Sequence, residues 1–209
     1  MLEKLPTFHR HHPAFWRFAI DGLDVLLDEA ANRGHGGTIV ILDATVPHDE
    51  TLFQAKHVLK GKQWLPLLLE KCAQSEQQDV SDSMTYDMSF DIKYRRSTLD
   101  ALQRVAQLAA IDGALVINSN FEVIAFGATL VSPEWNGSVE EGPDAYGGTH
   151  GRAFDLSRYG TRHRSAANFA VACPNSIAFV ISQDGPVRAF ARDDSRLLCW
   201  PDCSSSMFV

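Results

Sequence analysis

Apolar positions recur at helical spacing over residues 14–33 (AFWRFAIDGLDVLLDEAANR), where Phe15, Phe18, Ile20, Leu23, Leu26 and Leu27 make one broad face. Gly34, Gly36 and Gly37 end that helix. The pattern then changes. GTIVIL (37–42) is a short, β-branched apolar run and reads as a buried strand. Residues 51–73 read as mostly helical with a break near Pro66, and the polar, acidic stretch 74–90 reads as a loop or linker. Ser97 and Asp100 fit a loose S-x-x-D cap, so a helix is expected to start at Ser97, with Leu99, Leu102, Val105, Ala106, Leu108 and Ala109 on its apolar face.

Two strands follow as a hairpin, IDGALVI (111–117) and FEVIAFGATLV (121–131), joined by Asn118-Ser119-Asn120. Residues 132–159 are rich in Gly and Pro and read as one long loop, of the length that in a compact domain carries function or disorder. GTRHRSA (160–166) opens a short helix to about Cys173. IAFVIS (177–182) and VRAFA (187–191) are strands joined by the turn QDGP, and the last residues are weakly specified. The expected fold is α/β: a central mixed sheet with helices on both faces. Residues 1–95 are expected to be a helical N-terminal region whose one strand (36–42) joins the main sheet. Residues 96–209 carry the motifs, and the whole is expected to form one compact domain.

A chain of 209 residues, 45% hydrophobic, can bury a sizeable core. A net charge of −7 removes the general electrostatic case for nucleic-acid binding. The longest apolar runs are too short to span a bilayer, and the first residues lack an apolar signal core, so a cytoplasmic protein without membrane attachment is expected. The four cysteines are then expected to be thiols. Cys199 and Cys203 (CWPDC) lack a second Cys/His pair, so they read as two thiols in a tail rather than a zinc site. His9, His11 and His12 lack a carboxylate or thiol at ligand spacing and read as a surface segment.

Candidate chemistry concentrates at three element ends. Asp112 offers oxygens to a divalent cation, suiting magnesium or manganese, or accepts a proton from a hydroxyl. Gly113 and Ala114 let a ligand approach the backbone. Thr161 and Ser165 place hydroxyls at a helix start, Arg162 and Arg164 match phosphate oxygens, and His163 stands between them. An Arg-His-Arg triplet repels itself unless a polyphosphate sits among it. Each motif alone has a plainer reading. Asp-Gly is commonly a turn, R-x-R a solvated face, and SQDGP a hairpin turn.

Together, IDGALVI, then GTRHRSA, then a strand ending in VISQDG resemble the diadenylate cyclase domain family, over residues 111–191 and more weakly over 36–42. The resemblance implies condensation of two ATP into the second messenger cyclic di-AMP, releasing two pyrophosphates. Each 3′-hydroxyl attacks the other ATP's α-phosphorus across a face-to-face homodimer or larger homo-oligomer. It implies that Asp112 acts at the metal and the hydroxyl. Gly113 and Ala114 would border the nucleotide, Thr161, Arg162, His163 and Arg164 would bind phosphates, Ser182 would lie near the triphosphate, and Leu130 would touch adenine. The chain departs from the family at Ile111, where many members have His, and at Gln183-Asp184, where many have Glu-Glu. Asp184 is the acid left there for a metal. The alternative reading is a nucleotide-binding sensor of the same fold with little or no turnover; a third is an interaction domain without a ligand.

Overall fold

The computed structural model describes residues 13–47, 51–61, 63–81, 88–143, 151–183 and 186–203; the side chains of 13–18, 73, 75–81 and 88–93 lie outside that description. His9, His11, His12 and Asp184 fall outside the described residues.

The first helix, α1, spans Pro13–Asn32 and ends where Gly34 takes a φ of 65° and donates its amide to the Ala31 carbonyl. β1 (Gly37–Leu42) is buried along its whole length. Residues 51–73, expected to be mostly helical, instead form a strand, β2 (Phe53–Val58), and then a helix, α2 (Trp64–Ser81). The period is two in the first part, with Phe53 buried, its neighbours Gln54 and Lys56 outward or partly so, and His57 stacked on Phe126 across the ladder. Pro66 is no break. It occupies the first turn of α2, where an amide needs no helical partner.

Of the expected linker 74–90, residues 74–81 and 88–90 are helical, while 82–87 lie outside the described residues. α2 runs on to Ser81 and α3 spans Met88–Leu108, so the helix begins upstream of Ser97. Glutamine and glutamate are good helix formers, so a polar run such as SEQQD need not be a loop. Within α3 the Thr98 hydroxyl bonds back to the Tyr94 carbonyl at 2.8 Å, as a mid-helix threonine does.

The hairpin forms as expected: β3 (Ala114–Asn118) and β4 (Val123–Leu130) pair antiparallel around the Asn118 turn, where the Asn118 Oδ1 accepts from the amides of Asn120 and Glu122. The described parts of the stretch 132–159, residues 132–143 and 151–159, are more than a plain loop. They carry a short strand, β5 (Val139–Glu141), and a 3₁₀ turn at Leu156–Arg158. α4 (Thr161–Ala172), β6 (Ser176–Ile181) and β7 (Arg188–Asp193) follow the expected order, and the C-terminal stretch adds β8 (Arg196–Trp200).

Among the described residues the strands form one eight-stranded sheet in the order β2-β4-β3-β1-β6-β7-β8-β5. The β1–β3 and β5–β8 pairs are parallel and the others antiparallel. Strand alternation sorts the core into two layers. Ile39, Ile41, Leu115, Ile117, Ile177, Phe179 and Ile181 pack under α1, α2 and α3. Val40, Leu42, Val116, Ala178, Val180 and Phe190 pack under α4, whose Ala166, Ala167 and Ala170 let it sit close to the sheet. The fold is therefore α/β with helices on both faces of a mixed sheet.

Close packing requires a bare backbone at Gly37. A Cβ there would lie 2.5 Å from the Ala109 carbonyl oxygen at the end of α3. Gly37→Ala should cost about 1–3 kcal/mol through forced displacement of α3 from β1. Urea unfolding should show a lower midpoint with an unchanged slope, and an unchanged midpoint would contradict the packing described.

Candidate active site

Three chain segments converge at the edge of the sheet where β1 and β3 begin and β6 ends. The ladder aligns Gly37 with Ile181, Thr38 with both Val180 and Ala114, and Ala114 with Ala128. Asp112 and Gly113 therefore stand beside the start of β1, with Ser182 and Gln183 on its other side. α4 brings Gly160, Thr161 and Arg162 to the same edge, and Arg162 lies so close to Gly36 that a Cβ there would meet its Nη1 at 2.6 Å.

Two adjoining cavities open here. The larger, about 670 Å³, is lined by Asp112, Tyr159–His163, Val180–Gln183 and Arg188. The smaller, about 330 Å³, is lined by Thr38, Lys56, Asp112–Ala114, Ala128–Leu130, Thr161, Arg162 and Ser165. Asp112, Thr161 and Arg162 belong to both. Of the sequence-selected residues, Asp112, Gly113, Ala114, Leu130, Thr161, Arg162, His163, Ser165 and Ser182 line one cavity or both. Arg164 lines neither; it is exposed and its Nη1 donates to the Tyr159 carbonyl at 3.4 Å. Helix geometry explains this, since residues two apart project about 200° apart around the axis.

Gly113 holds the floor of the smaller cavity. Its φ is 116°, in the region that favours glycine, and a Cβ would lie 2.5 Å from the Gly127 carbonyl carbon. The Asp112 side chain is 93% exposed and its Oδ2 lies 3.6 Å from the Lys56 Nζ, which also reaches the Asp112 carbonyl oxygen at 3.5 Å. So open a pair is weak and easily exchanged for another cation. At α4 the cap residue Gly160 makes no side-chain hydrogen bond, so the first-turn amides at the cavity rim lack a side-chain acceptor.

His163 is a different kind of group from the arginines beside it. It is buried, its Nε2 has no hydrogen-bond partner, and its ring packs on Tyr159 (4.9 Å between centroids) and edge-on to Phe190. Burial first, and the Arg188 charge second, lower its pKa to about 4, so it is neutral at pH 7. Residues that sequence reasoning did not select also stand here: Lys56, Tyr159, Thr38 and Arg188. Lys56 was hidden by the helical reading of its strand. For Arg188 the available signal was a cation at the first position of a strand facing the Gln183 turn.

A family model described as "DAC: DisA bacterial checkpoint controller nucleotide-binding" matches residues 26–195. The chain belongs to the DAC family. The DAC match spans both halves of the sheet edge, from α1 to the end of β7, and so contains every lining residue of the two cavities. Among solved structures the chain is similar to a double mutant of DacA from Staphylococcus aureus, at 16% identity and a TM-score of 0.49 over 91% of this chain and 89% of that one. No curated protein sequence matches the chain. No helix among the described residues of this DAC domain is long and apolar enough to cross a membrane.

The lowered His163 pKa has a thermodynamic consequence. The unfolded chain takes a proton near pH 6.5 that the folded chain refuses until about pH 4, so stability falls as pH drops through that window. Between pH 7 and pH 5 this group should remove about 2 kcal/mol. Urea melts of His163→Gln should lose correspondingly less over the same interval; identical losses in the two proteins would show that His163 is not the group responsible.

Proposed function

We propose that this DAC domain is a diadenylate cyclase, a nucleotidyltransferase that condenses two ATP into cyclic di-AMP and releases two pyrophosphates. One observation carries the reading: a cavity with small residues and an apolar side chain (Gly113, Ala114, Ala128, Leu130) adjoins a cationic one (Arg162, Arg188), and they meet at Asp112. A flat base fits beside the backbone of the first, and phosphates suit the guanidiniums and helix amides of the second. The scissile α-phosphate then lies at the junction, beside Thr161 and Arg162.

Asp112 is positioned to accept the proton of a 3′-hydroxyl, with Arg162 and the α4 amides stabilising the charge that builds on the phosphate oxygens. Neutral His163 serves as a ring that can hold or accept a hydrogen bond through Nε2 rather than as a third cation. Each domain has one such junction, so the second 3′-hydroxyl comes from a second copy facing it, in a homodimer or larger assembly. The donor set also bears on a metal. Among the described residues no three of His, Cys, Asp or Glu cluster, but a single carboxylate plus substrate phosphates suffices for magnesium or manganese. Asp112 would hold such an ion, which supplies charge neutralisation at the phosphates. The Lys56 pair at Asp112 is open enough to yield to it.

A second reading, a nucleotide-binding sensor without turnover, is favoured by two features. Gln183 lines the cavity where a second acid would aid a metal, and Lys56 already occupies Asp112. Incubation with ATP and manganese or magnesium, followed by mass spectrometry, separates the two. Cyclic di-AMP that falls at least ~100-fold in Asp112→Asn supports the cyclase. Nucleotide binding with no product under either metal supports the sensor. Equal product from wild type and Asp112→Asn would remove Asp112 from the mechanism.

A further inference from the structure

Some described arginines are paired with carboxylates, while others, Arg164 and Arg192 among them, donate to backbone carbonyls. Arg33, Arg152 and Arg196 pair with carboxylates, on Glu29, Glu141, and Glu140 with Asp193. Arg162 and Arg188, the two that line the larger cavity, pair with no carboxylate among the described residues. Half-buried Arg188 is partly desolvated with no counter-ion, so a bound anion would compensate it, and exposed Arg162 stands at the same cavity.

Arg188 is held ready for this. Its Nη1 donates to the Ser182 hydroxyl at 3.3 Å and to the Pro186 carbonyl at 3.5 Å, and its Cζ lies 4.8 Å from the centre of the Tyr159 ring. Stacking and hydrogen bonds fix the plane of the fork, while its Nε is buried with no partner. The β6–β7 ladder sets Arg188 opposite Val180, on the strand next to β6, which ends just before Ser182. Arg188 lines the larger cavity together with Arg162, whereas Arg164 lies outside that cavity with its Nη1 on the Tyr159 carbonyl.

We propose that Arg188 is the second phosphate-binding guanidinium of the site, acting with Arg162 on the terminal phosphates of the bound nucleotide in the place that the Arg-His-Arg triplet suggests for Arg164. The inference deepens the nucleotide reading above and rests on it for the identity of the ligand. Ser182 then acts as the positioning residue that aims the Arg188 fork, and Tyr159 as the plate on which it lies.

Calorimetric titration of the whole chain with ATP, tripolyphosphate and adenosine tests this, in wild type, Arg188→Gln, Arg188→Lys and Arg164→Gln, with Arg196→Gln as a control for net charge. Arg188→Gln should weaken ATP and tripolyphosphate about tenfold or more and leave adenosine unchanged. Arg188→Lys should restore part of the loss, since it returns charge without the planar fork. The Arg188→Gln loss should exceed that of Arg164→Gln. The His163 ring, followed by NMR, should titrate higher in Arg188→Gln than in wild type, reporting removal of the neighbouring charge from a folded protein. Wild-type tripolyphosphate affinity in Arg188→Gln, or a larger loss in Arg164→Gln, would overturn the proposal. If wild type bound tripolyphosphate but neither ATP nor adenosine, the nucleotide reading would fail while the Arg188 assignment stood. Adenosine binding without tripolyphosphate binding would do the reverse.

Discussion

Backbone hydrogen bonds along both edges of β1 set the spacing of everything at the site. One edge carries β3 in parallel and the other carries β6 antiparallel, and all six residues of β1 are buried. The Asp112 segment precedes β3 on one ladder and Ser182 follows β6 on the other, with Arg188 one strand further out on β7, so the width across β1 separates the starts of the two walls. Covalent and hydrogen-bond geometry fix that width. Side-chain packing on the two faces keeps the strand flat in place, with Ile39 and Ile41 on one side and Val40 and Leu42 on the other.

The same edge shows how a polar site is accommodated in an apolar core. The helix that delivers Arg162 is anchored by alanines and by Phe169, all buried, and only residues of its N-terminal stretch, within Thr161 to Ser165, reach the cavities. His163 is drawn inward by that anchoring and gives up its charge. The guanidiniums on either side stay at the solvent boundary, where hydration or a ligand can compensate them. Charge is thus graded around the larger cavity, from a neutral imidazole through half-buried Arg188 to exposed Asp112.

Much of this was legible in the chain. The buried strands β1, β3, β4 and β6, the hairpin at Asn118 and the start of α4 follow from apolar period and turn chemistry, which are local. The failures were local rules overridden by position. Phe53–Val58 has too few apolar residues to announce a strand because β2 is an edge, with one ladder partner in β4. The start of α3 was misplaced because Ser97 and Asp100 mimic a cap while Tyr94 packs against the core one turn earlier. Motif order grouped Arg162 with Arg164, whereas helix rotation separates them; Arg188 lines the larger cavity from the expected β6–β7 hairpin but belongs to no motif that would have marked it. Lys56 shows a blindness to long-range pairing, since only the β2–β4 ladder carries it to Asp112.

The pairing of β1 with β6 also has a bearing on how the protein is made. β1 is among the first elements of the described chain and β6 comes after α4, so Gly37 and Ile181 meet only when most of the chain is available. Until then β1 has an open edge, and the cavity lacks the wall bearing Ser182 and Arg188. Contacts of such high sequence separation are slow to form. A nascent or truncated chain ending before β6 would expose β1 as an unpaired apolar edge, open to wrong partners. The geometry of the cavity edge is therefore a late product of folding, and the chain gains the wall bearing Ser182 and Arg188 and closes an apolar strand edge in the same event.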